Sequence, residues 1–588
     1  MDFGIGKLRL PRLLFNAAKS VIFEGLILFT FVLTINNYLG NVDRTTNADG
    51  IGYYDYLPSI FIHHDLIRKH SPARSDTLLY QRIQELKTYI DYKGYKVDKY
   101  PGGTALLQLP FFLYSYYTTD LDGSPEDGYQ KPFQVAVFHA ALFYLFFGLF
   151  FLKKLLKLYD IRCWAIVFTQ LLLVMATGIV HYSNVEAGFS HVYSLFAITA
   201  FLYFSKSYFS TKNLNHFILA ALFLGLVVLI RQINILIILF LPFIAGSWAT
   251  FRDGILMLFK YPLKLGLGIL LMALISCIQC LFWYLQTGHF FLYSYQGEGF
   301  SFSNPQILNI LFSYRKGLFI YTPVLFISLF GIVFLATRKK FYMMVTWLAF
   351  FLILTYILSS WHSWYYGCSY GLRAYIDFYA IFFIPFALLL SGSAIWIRIS
   401  LVAISMVTIP VNIIQAYQYK YYILHWIHMD KEKYWKVFLN TSDNVKGLLW
   451  KRQYNYSSYR STRNHSISDL DTEKDSYKII YSSSSKEIPD FEKVSIIQFR
   501  FDNDFNKKNN SRIMLNINEK VGNRNLYSHS PYLMEFSEMD FNTWHTGWFD
   551  FEFKPLTDTV EKVITIGLKT ENQGNSLRRM QVRYLKLK

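Results

Sequence analysis

The sequence predicts a polytopic α-helical membrane protein with a C-terminal β-sandwich-like domain. Three observations carry that reading. Of 588 residues, 53% are hydrophobic and only 17% are charged, against about 25% charged in ordinary soluble domains. Apolar runs near the length that crosses a bilayer, about 20 residues, recur from residue 18 to residue 417. Beyond Tyr417 the composition turns to Asn, Ser, Lys and Asp, and short alternating segments replace the apolar runs. The division follows: residues 1–424 form the membrane part and 425–588 the β-rich part.

The membrane part opens on a basic stretch, Lys7, Arg9, Arg12 and Lys19, followed by the apolar Val21–Leu39. No small-residue cleavage pattern follows, so this reads as a retained anchor. The spans are expected at 18–39, 133–152, 163–181, 190–206, 215–230, 233–249, 264–285, 317–336, 341–359, 376–393 and 397–417. The stretch 215–249 is too long for one helix, and "RQIN" (Arg231–Asn234) divides it. With the N-terminus in the cytoplasm, every short inside segment carries positive charge: Lys153, Lys154, Lys157 and Arg162; Lys206 and Lys212; Arg252, Lys260 and Lys264; Arg338 to Lys340; Arg398. That is the positive-inside pattern. It accounts for the formal net charge of +18 without nucleic acid, for which no reader motif is present. Eleven spans place the C-terminal region outside.

The same arrangement gathers the other polar residues on the outer face. They lie in "NADGIGYYDYLPSIFIHHD" (Asn47–Asp65), "DKYPGG" (Asp98–Gly103), "HYSNVEAGFSH" (His181–His191), "RQIN", "FSYRKGLF" (Phe312–Phe319) and "WHSWYYGCSYGLR" (Trp361–Arg373). Charge near a membrane is costly unless paired or functional, and its concentration on one side argues for one site there. The first outside loop, 41–132, holds two expected interfacial helices, Leu78–Ile90 and Leu109–Tyr117. Cys277 and Cys280 form a C-x-x-C inside an apolar run and read as small packing residues.

In the C-terminal part, Lys493–Phe501, Arg512–Glu519, Gly547–Pro555, Lys562–Lys569 and Gln581–Lys588 alternate with period two. About six short strands with polar turns predict a small β-sandwich. Asn455–Asp469 reads as a flexible polar segment near its start.

The order of the outer-face motifs resembles the GT-C glycosyltransferases, polytopic enzymes that use polyprenyl-phosphate sugars. The matching stretches are "ADGIGYY" (Ala48–Tyr54), "KYPGG" (Lys99–Gly103), "GFSHVYS" (Gly188–Ser194), "IRQIN" (Ile230–Asn234), "YRKGLFIYTP" (Tyr314–Pro323) and "WYYGCSYGLR" (Trp364–Arg373). The resemblance covers residues 20–420. Within the family it is nearest to the branch of protein O-mannosyltransferases and the bacterial aminoarabinose transferase. It implies an inverting transfer, on the outer face of a bacterial inner membrane, to a glycan, lipid or protein acceptor. By the same resemblance Asp49 is the general base, although Asp-Gly is also a common turn dipeptide. Gly50 stands where mannosyltransferases have a second acid, so any partner carboxylate would come from Asp43, Asp55 or Asp98.

The leaving lipid phosphate calls for fixed cations. Lys99 matches the family position. Arg231, Arg373, Arg315 and Lys316 are further candidates, each of which also reads as an interfacial anchor. Tyr53, Tyr54, Tyr100, Glu186, His191, Trp361 and Trp364 are candidates for holding substrate, with an aromatic belt or helix packing as the competing reading. Glu298 falls in a Gly-rich outer loop, "YQGEGFSF" (Tyr295–Phe302). No cofactor is required by the residues. A divalent metal ion shared by Asp49 and Asp98 stays open, because relatives differ in metal use. Two other functions are weighed against transfer: a transporter or flippase for a lipid-linked saccharide, which would place paired polar residues deep in several spans, and a non-catalytic envelope assembly protein.

Overall fold

The computed structural model describes residues 22–34, 45–66, 88–119, 128–442, 445–450, 459–473, 476–504, 511–521, 524–530, 544–553, 555–556, 560–570 and 576–587. The chain divides into two compact units, Met1–Ala416 and Tyr417–Lys588. The basic N-terminal stretch, Asp43 and residues 78–87 of the first expected interfacial helix lie outside the described residues.

Every segment expected to span contains helix where it is described, with breaks at 176–178, 246–247 and Thr322. The helices are α1 (Ile22–Thr34), α2 (Asp49–Phe61), α3 (Gly103–Thr118), α4 (Lys131–Lys157), α5 (Cys163–Met175), α6 (His191–Thr211) and α7 (Leu214–Ile230). After a break at Arg231 come α8 (Trp248–Lys260), α9 (Pro262–Thr287), α10 (Pro323–Thr337), α11 (Phe341–Ser359), α12 (Arg373–Gly392) and α13 (Ile395–Lys420). Among the described residues five helices are long and apolar enough to cross a bilayer alone: α4, α9, α11, α12 and α13. With the shorter apolar helices, they make this a multi-pass membrane unit.

Three local departures have clear causes. Tyr89 and Ile90, expected to end a helix, instead begin β1 (Tyr89–Tyr92), which pairs antiparallel with β2 (Tyr95–Asp98). The intervening Lys93 and Gly94 both have positive φ, 50° and 87°, the signature of a tight hairpin turn. The run 233–249 is a 3-10 helix, Gln232–Phe240, and a short α-turn, Leu241–Ala245, that bends by 120° into α8. The second expected interfacial segment, Leu109–Tyr117, is the C-terminal half of α3.

Inside the unit, the fully buried Glu24 of α1 meets Lys153 of α4 at 2.6 Å and accepts from Gln170 of α5 at 2.8 Å. A charge so placed in an apolar bundle needs such partners, and here they tie α1 to α4 and α5.

The C-terminal unit has two antiparallel sheets. One runs in the order β5 (Tyr477–Ser484), β10 (Lys562–Lys569), β7 (Arg512–Glu519), β8 (Asn525–His529). The other runs β3 (Tyr459–Ile467), β11 (Ser576–Leu587), β6 (Val494–Asp504), β9 (Trp544–Glu552), with the short β4 (Leu470–Asp471) beside β11. Alternate residues of both sheets share one core: Ile513, Leu515 and Ile517 of β7 and Ile564, Ile566 and Leu568 of β10 meet Phe499, Phe501, Phe549, Phe551, Val582 and Tyr584. This is the sandwich that the alternation predicts. Among the described residues of this unit there are nine strands where about six were expected. The segment read as flexible, 455–469, contains β3: its polar side chains face out while its backbone pairs with β11.

Candidate active site

The site begins where two glycines touch. A Cβ on Gly50 would lie 3.2 Å from the Gly188 carbonyl carbon, and one on Gly188 would lie 3.0 Å from the Thr45 carbonyl oxygen. Only bare backbone allows the start of α2 and the 186–189 turn to meet this closely, and the Gly188 N–H donates to Thr45 O at 3.0 Å. Gln134 of α4 fixes the approach: its side-chain oxygen accepts from the backbone N–H groups of Thr45 and Thr46 at 2.9 and 3.0 Å. Ala48, at φ 46°, is held in a left-handed conformation costly for a residue with a side chain. The turn therefore delivers Asp49 to the first residue of α2, where the helix dipole favours a carboxylate.

Asp49 does not stand alone. Arg373, at the start of α12, places a guanidinium nitrogen 2.7 Å from its carboxylate, and both side chains keep some exposure, 13% and 22%. The same guanidinium lies 5.2 Å above the Phe189 ring, so the glycine contact also sets the face that Arg373 rests on.

A second cluster stands beside it. Arg231, in extended conformation between α7 and the 3-10 helix, pairs with Asp377 at 3.0 Å. Asp377 is fully buried and also meets His191 at 2.7 Å and the Asn234 amide at 2.7 Å. Asn234 in turn donates to Ser194 at 3.1 Å. The two clusters meet around Tyr53, whose hydroxyl feels Arg231, Asp49 and Arg373 together.

The third component comes from the hairpin loop. Lys99 pairs with Glu298, and its ammonium lies 5.0 Å from the Tyr295 ring and 5.9 Å from the Tyr100 ring. Burial, then the charge of Asp49, holds the Tyr100 phenol well above its ordinary pKa. Tyr53 and Tyr100 pack with ring centroids 4.8 Å apart. Gly103 positions this loop: a Cβ there would lie 2.6 Å from the Leu229 carbonyl oxygen and the Ile230 nitrogen, so the start of α3 sits directly on the end of α7, next to Arg231.

The remaining candidates are placed differently. Asp55 is buried, and its carboxylate accepts from Tyr89, from Tyr129 at 2.7 Å and from Ser59 at 3.0 Å; it ties the hairpin to α2. Asp98 is buried and accepts the Tyr100 N–H at 2.9 Å, shaping the turn that carries Lys99. Tyr54 donates to Gly128 O at 2.6 Å. Arg315 stacks 3.4 Å over the Tyr365 ring, with Trp364 at 6.0 Å. Trp361 packs against Tyr295 and Phe300. Glu186 lies 3.0 Å from His181. Lys316 is buried and donates to the Ser369 carbonyl. Burial pushes its pKa down to about 7, against the opposing pull of Cys368 and Glu186.

Among the described residues, no three His, Cys, Asp or Glu side chains come together to hold a metal ion. The Asp49 carboxylate pairs with Arg373, and the Asp98 carboxylate accepts the Tyr100 N–H. This donor set does not fit a dedicated metal cage.

No family model and no curated protein matches the chain. Ten chains of solved structure do. The archaeal oligosaccharyltransferase AglB from Archaeoglobus fulgidus, in complex with an inhibitory peptide and a dolichol-phosphate, is 11% identical. It matches over 68% of this chain and 56% of its own, with a TM-score of 0.38. The apo form of the Archaeoglobus fulgidus oligosaccharyltransferase is 12% identical over 71% of this chain and 60% of its own, with a TM-score of 0.41. ArnT from Cupriavidus metallidurans, bound to undecaprenyl phosphate, is 13% identical over 68% of this chain and 76% of its own, with a TM-score of 0.39. The chain thus spans little more than half the length of the oligosaccharyltransferase.

Three site residues carry no assignment from the sequence: Asp377, Asn234 and Tyr295. Asp377 had a usable signal. It is the one acid in the apolar stretch from Ala374 to Leu390, and an ionisable residue inside a span marks a pairing or a site. Tyr295 had none, since one tyrosine among 45 is not distinctive.

Proposed function

We propose that this chain is a membrane glycosyltransferase of the GT-C type. It moves a sugar from a polyprenyl-phosphate donor to a hydroxyl or amine of an envelope glycan, lipid or protein. The observation that carries this reading is the pairing of Asp49 with Arg373 beside Tyr53 and Tyr100, the two rings that Arg231 and Lys99 also adjoin. Three cations from separate loops, each paired with a carboxylate (Asp49, Asp377 or Glu298), stand in the motifs that resemble that family. In the reaction, the acceptor O–H or N–H gives its proton to Asp49 while its heteroatom attacks the anomeric carbon. A new bond to that carbon forms, the bond from carbon to phosphate oxygen breaks, and its electron pair leaves on the lipid phosphate. Arg373, Arg231 and Lys99 stabilise the charge that develops there. Tyr53, Tyr100 and Tyr295 pack together between the charged groups and keep water from them. The orientation that goes with this reading keeps the N-terminus in the cytoplasm and the site on the outer face.

Mass spectrometry of envelope glycolipids and glycoproteins from a deletion strain tests the activity. The acceptor should lose the mass of one sugar and the donor lipid should accumulate. Wild-type protein should restore the product, and Asp49→Asn, present at the same level, should not. Near-wild-type turnover by Asp49→Asn would remove Asp49 as the base.

A further inference from the structure

Lys99 already holds an anion. Glu298 reaches it from the apex of the 288–306 loop, and the pair is only partly exposed, 13% for the lysine and 29% for the glutamate side chain. A cation meant to receive a phosphate is here neutralised by the protein itself.

The loop is built to release that contact. On one side it is anchored to the segment after α11: Ser301 N–H donates to Ser360 O at 2.6 Å, His362 N–H donates to Gly299 O at 2.9 Å, and Phe300 bridges Trp361. On the other side Ser294 donates to the Lys99 carbonyl at 2.8 Å. Between these anchors the apex reads Gly297-Glu298-Gly299. Gly297 has φ 76°, and no atom lies within 4 Å of a Cβ built on either glycine. The apex backbone is itself held: the Glu298 N–H donates to Tyr295 O and the Tyr293 hydroxyl donates to Glu298 O, both at 2.9 Å. The glycines on either side leave open space around the side chain, so the Glu298 carboxylate can turn off Lys99 by side-chain rotation with both anchors in place.

We infer that Glu298 is an internal counter-ion that occupies the phosphate place on Lys99 and must be displaced by the anionic donor. This rests on the glycosyltransferase reading and adds to it a control on donor entry. Without donor, the carboxylate keeps a partly buried ammonium paired and holds the loop over the Tyr100–Tyr295 wall. A phosphate, with more charge and more acceptor oxygens than a carboxylate, wins the lysine. A neutral lipid or a free sugar cannot pay the loss of the ion pair, so the contact selects for the charged head group.

The test is binding of a short-chain polyprenyl phosphate to the full-length protein in detergent micelles, for wild type, Glu298→Gln, Glu298→Asp, Lys99→Gln and the Glu298→Gln/Lys99→Gln double variant. Glu298→Gln removes the competing charge and should tighten binding about three- to tenfold at low salt. Glu298→Asp keeps the charge and should stay nearer wild type. The gain should vanish when Lys99 is also changed. Unchanged or weaker binding by Glu298→Gln, with its thermal transition intact, would overturn the counter-ion role while leaving the transferase reading in place. An equal gain without Lys99 would overturn it as well. A wild-type protein that binds no polyprenyl phosphate would sink the transferase reading and this inference with it.

Discussion

At the scale of single residues, buried charge decides the most. Asp377 takes Arg231, His191 and Asn234 at once, so its loss would leave a partly buried guanidinium and a buried imidazole without their counter-charge. Asp377→Ala should lower stability by about 3–5 kcal/mol, read as a fall in the thermal unfolding midpoint in detergent, with Asp377→Asn intermediate because it keeps part of the hydrogen bonding. Lys316 gives a pH signature. Its pKa falls to about 7 in the fold, whereas an unfolded lysine titrates near 10.4. Between about pH 7 and 10 the unfolded chain therefore binds more protons, and stability rises with pH across that window. Lys316→Met should flatten this rise, measured as unfolding midpoint against pH; a slope equal to wild type would exclude Lys316 as its source. The sequence makes Asp49, Lys99, Arg231 and Arg373 legible as candidates because each is a charged residue in an outer-face motif. It does not reveal that Asp49 pairs with Arg373, or that Tyr89 and Tyr129 join the nearby Ser59 on Asp55, because those partners lie tens to hundreds of residues away and nothing local encodes the meeting.

At the scale of elements, the close approaches carry the site. The apolar runs were readable because a helix that buries or faces lipid along its whole length must be apolar along its whole length. The break at Arg231 was readable for the converse reason: arginine and asparagine in mid-run need partners off the helix. The hairpin β1–β2 was not, since its turn depends on positive φ at Lys93 as well as Gly94, and lysine gives no such signal. Gly103 shows how an element contact reaches the chemistry. Its missing side chain lets α3 rest on backbone atoms of Leu229 and Ile230, and that seat fixes Lys99 relative to Arg231. Gly103→Ala puts a methyl 2.6 Å from those atoms, so helices must part. It should cost about 1–3 kcal/mol and weaken polyprenyl-phosphate binding, whereas Gly266→Ala, with open space around it, should change neither. Equal binding by Gly103→Ala and wild type would separate this packing from the site.

At the scale of the whole molecule, charge placement makes a claim about sidedness. The residues Lys153 to Lys157, Lys206, Lys212, Arg252, Lys260 and Arg338 to Lys340 sit at one set of helix ends. Asp49, Lys99, Arg231, Glu298 and Arg373 sit at or beyond the opposite ends of the same or neighbouring helices. A basic cluster repeated at alternate loops is held in the cytoplasm during insertion, which forces the intervening loops across. The site loops should then face away from the cytoplasm, where a lipid-linked sugar and an envelope acceptor would meet. Single cysteines placed on a background without Cys163, Cys277, Cys280 and Cys368 measure this directly. Ser301→Cys, in the exposed 288–306 loop, should react with a membrane-impermeant maleimide in cells whose outer barrier alone has been opened. Lys339→Cys, in the turn between α10 and α11, should react only after the membrane that holds the protein is broken. The reverse pattern would turn the molecule over and overturn the placement of its carboxylate and cations on the outer face.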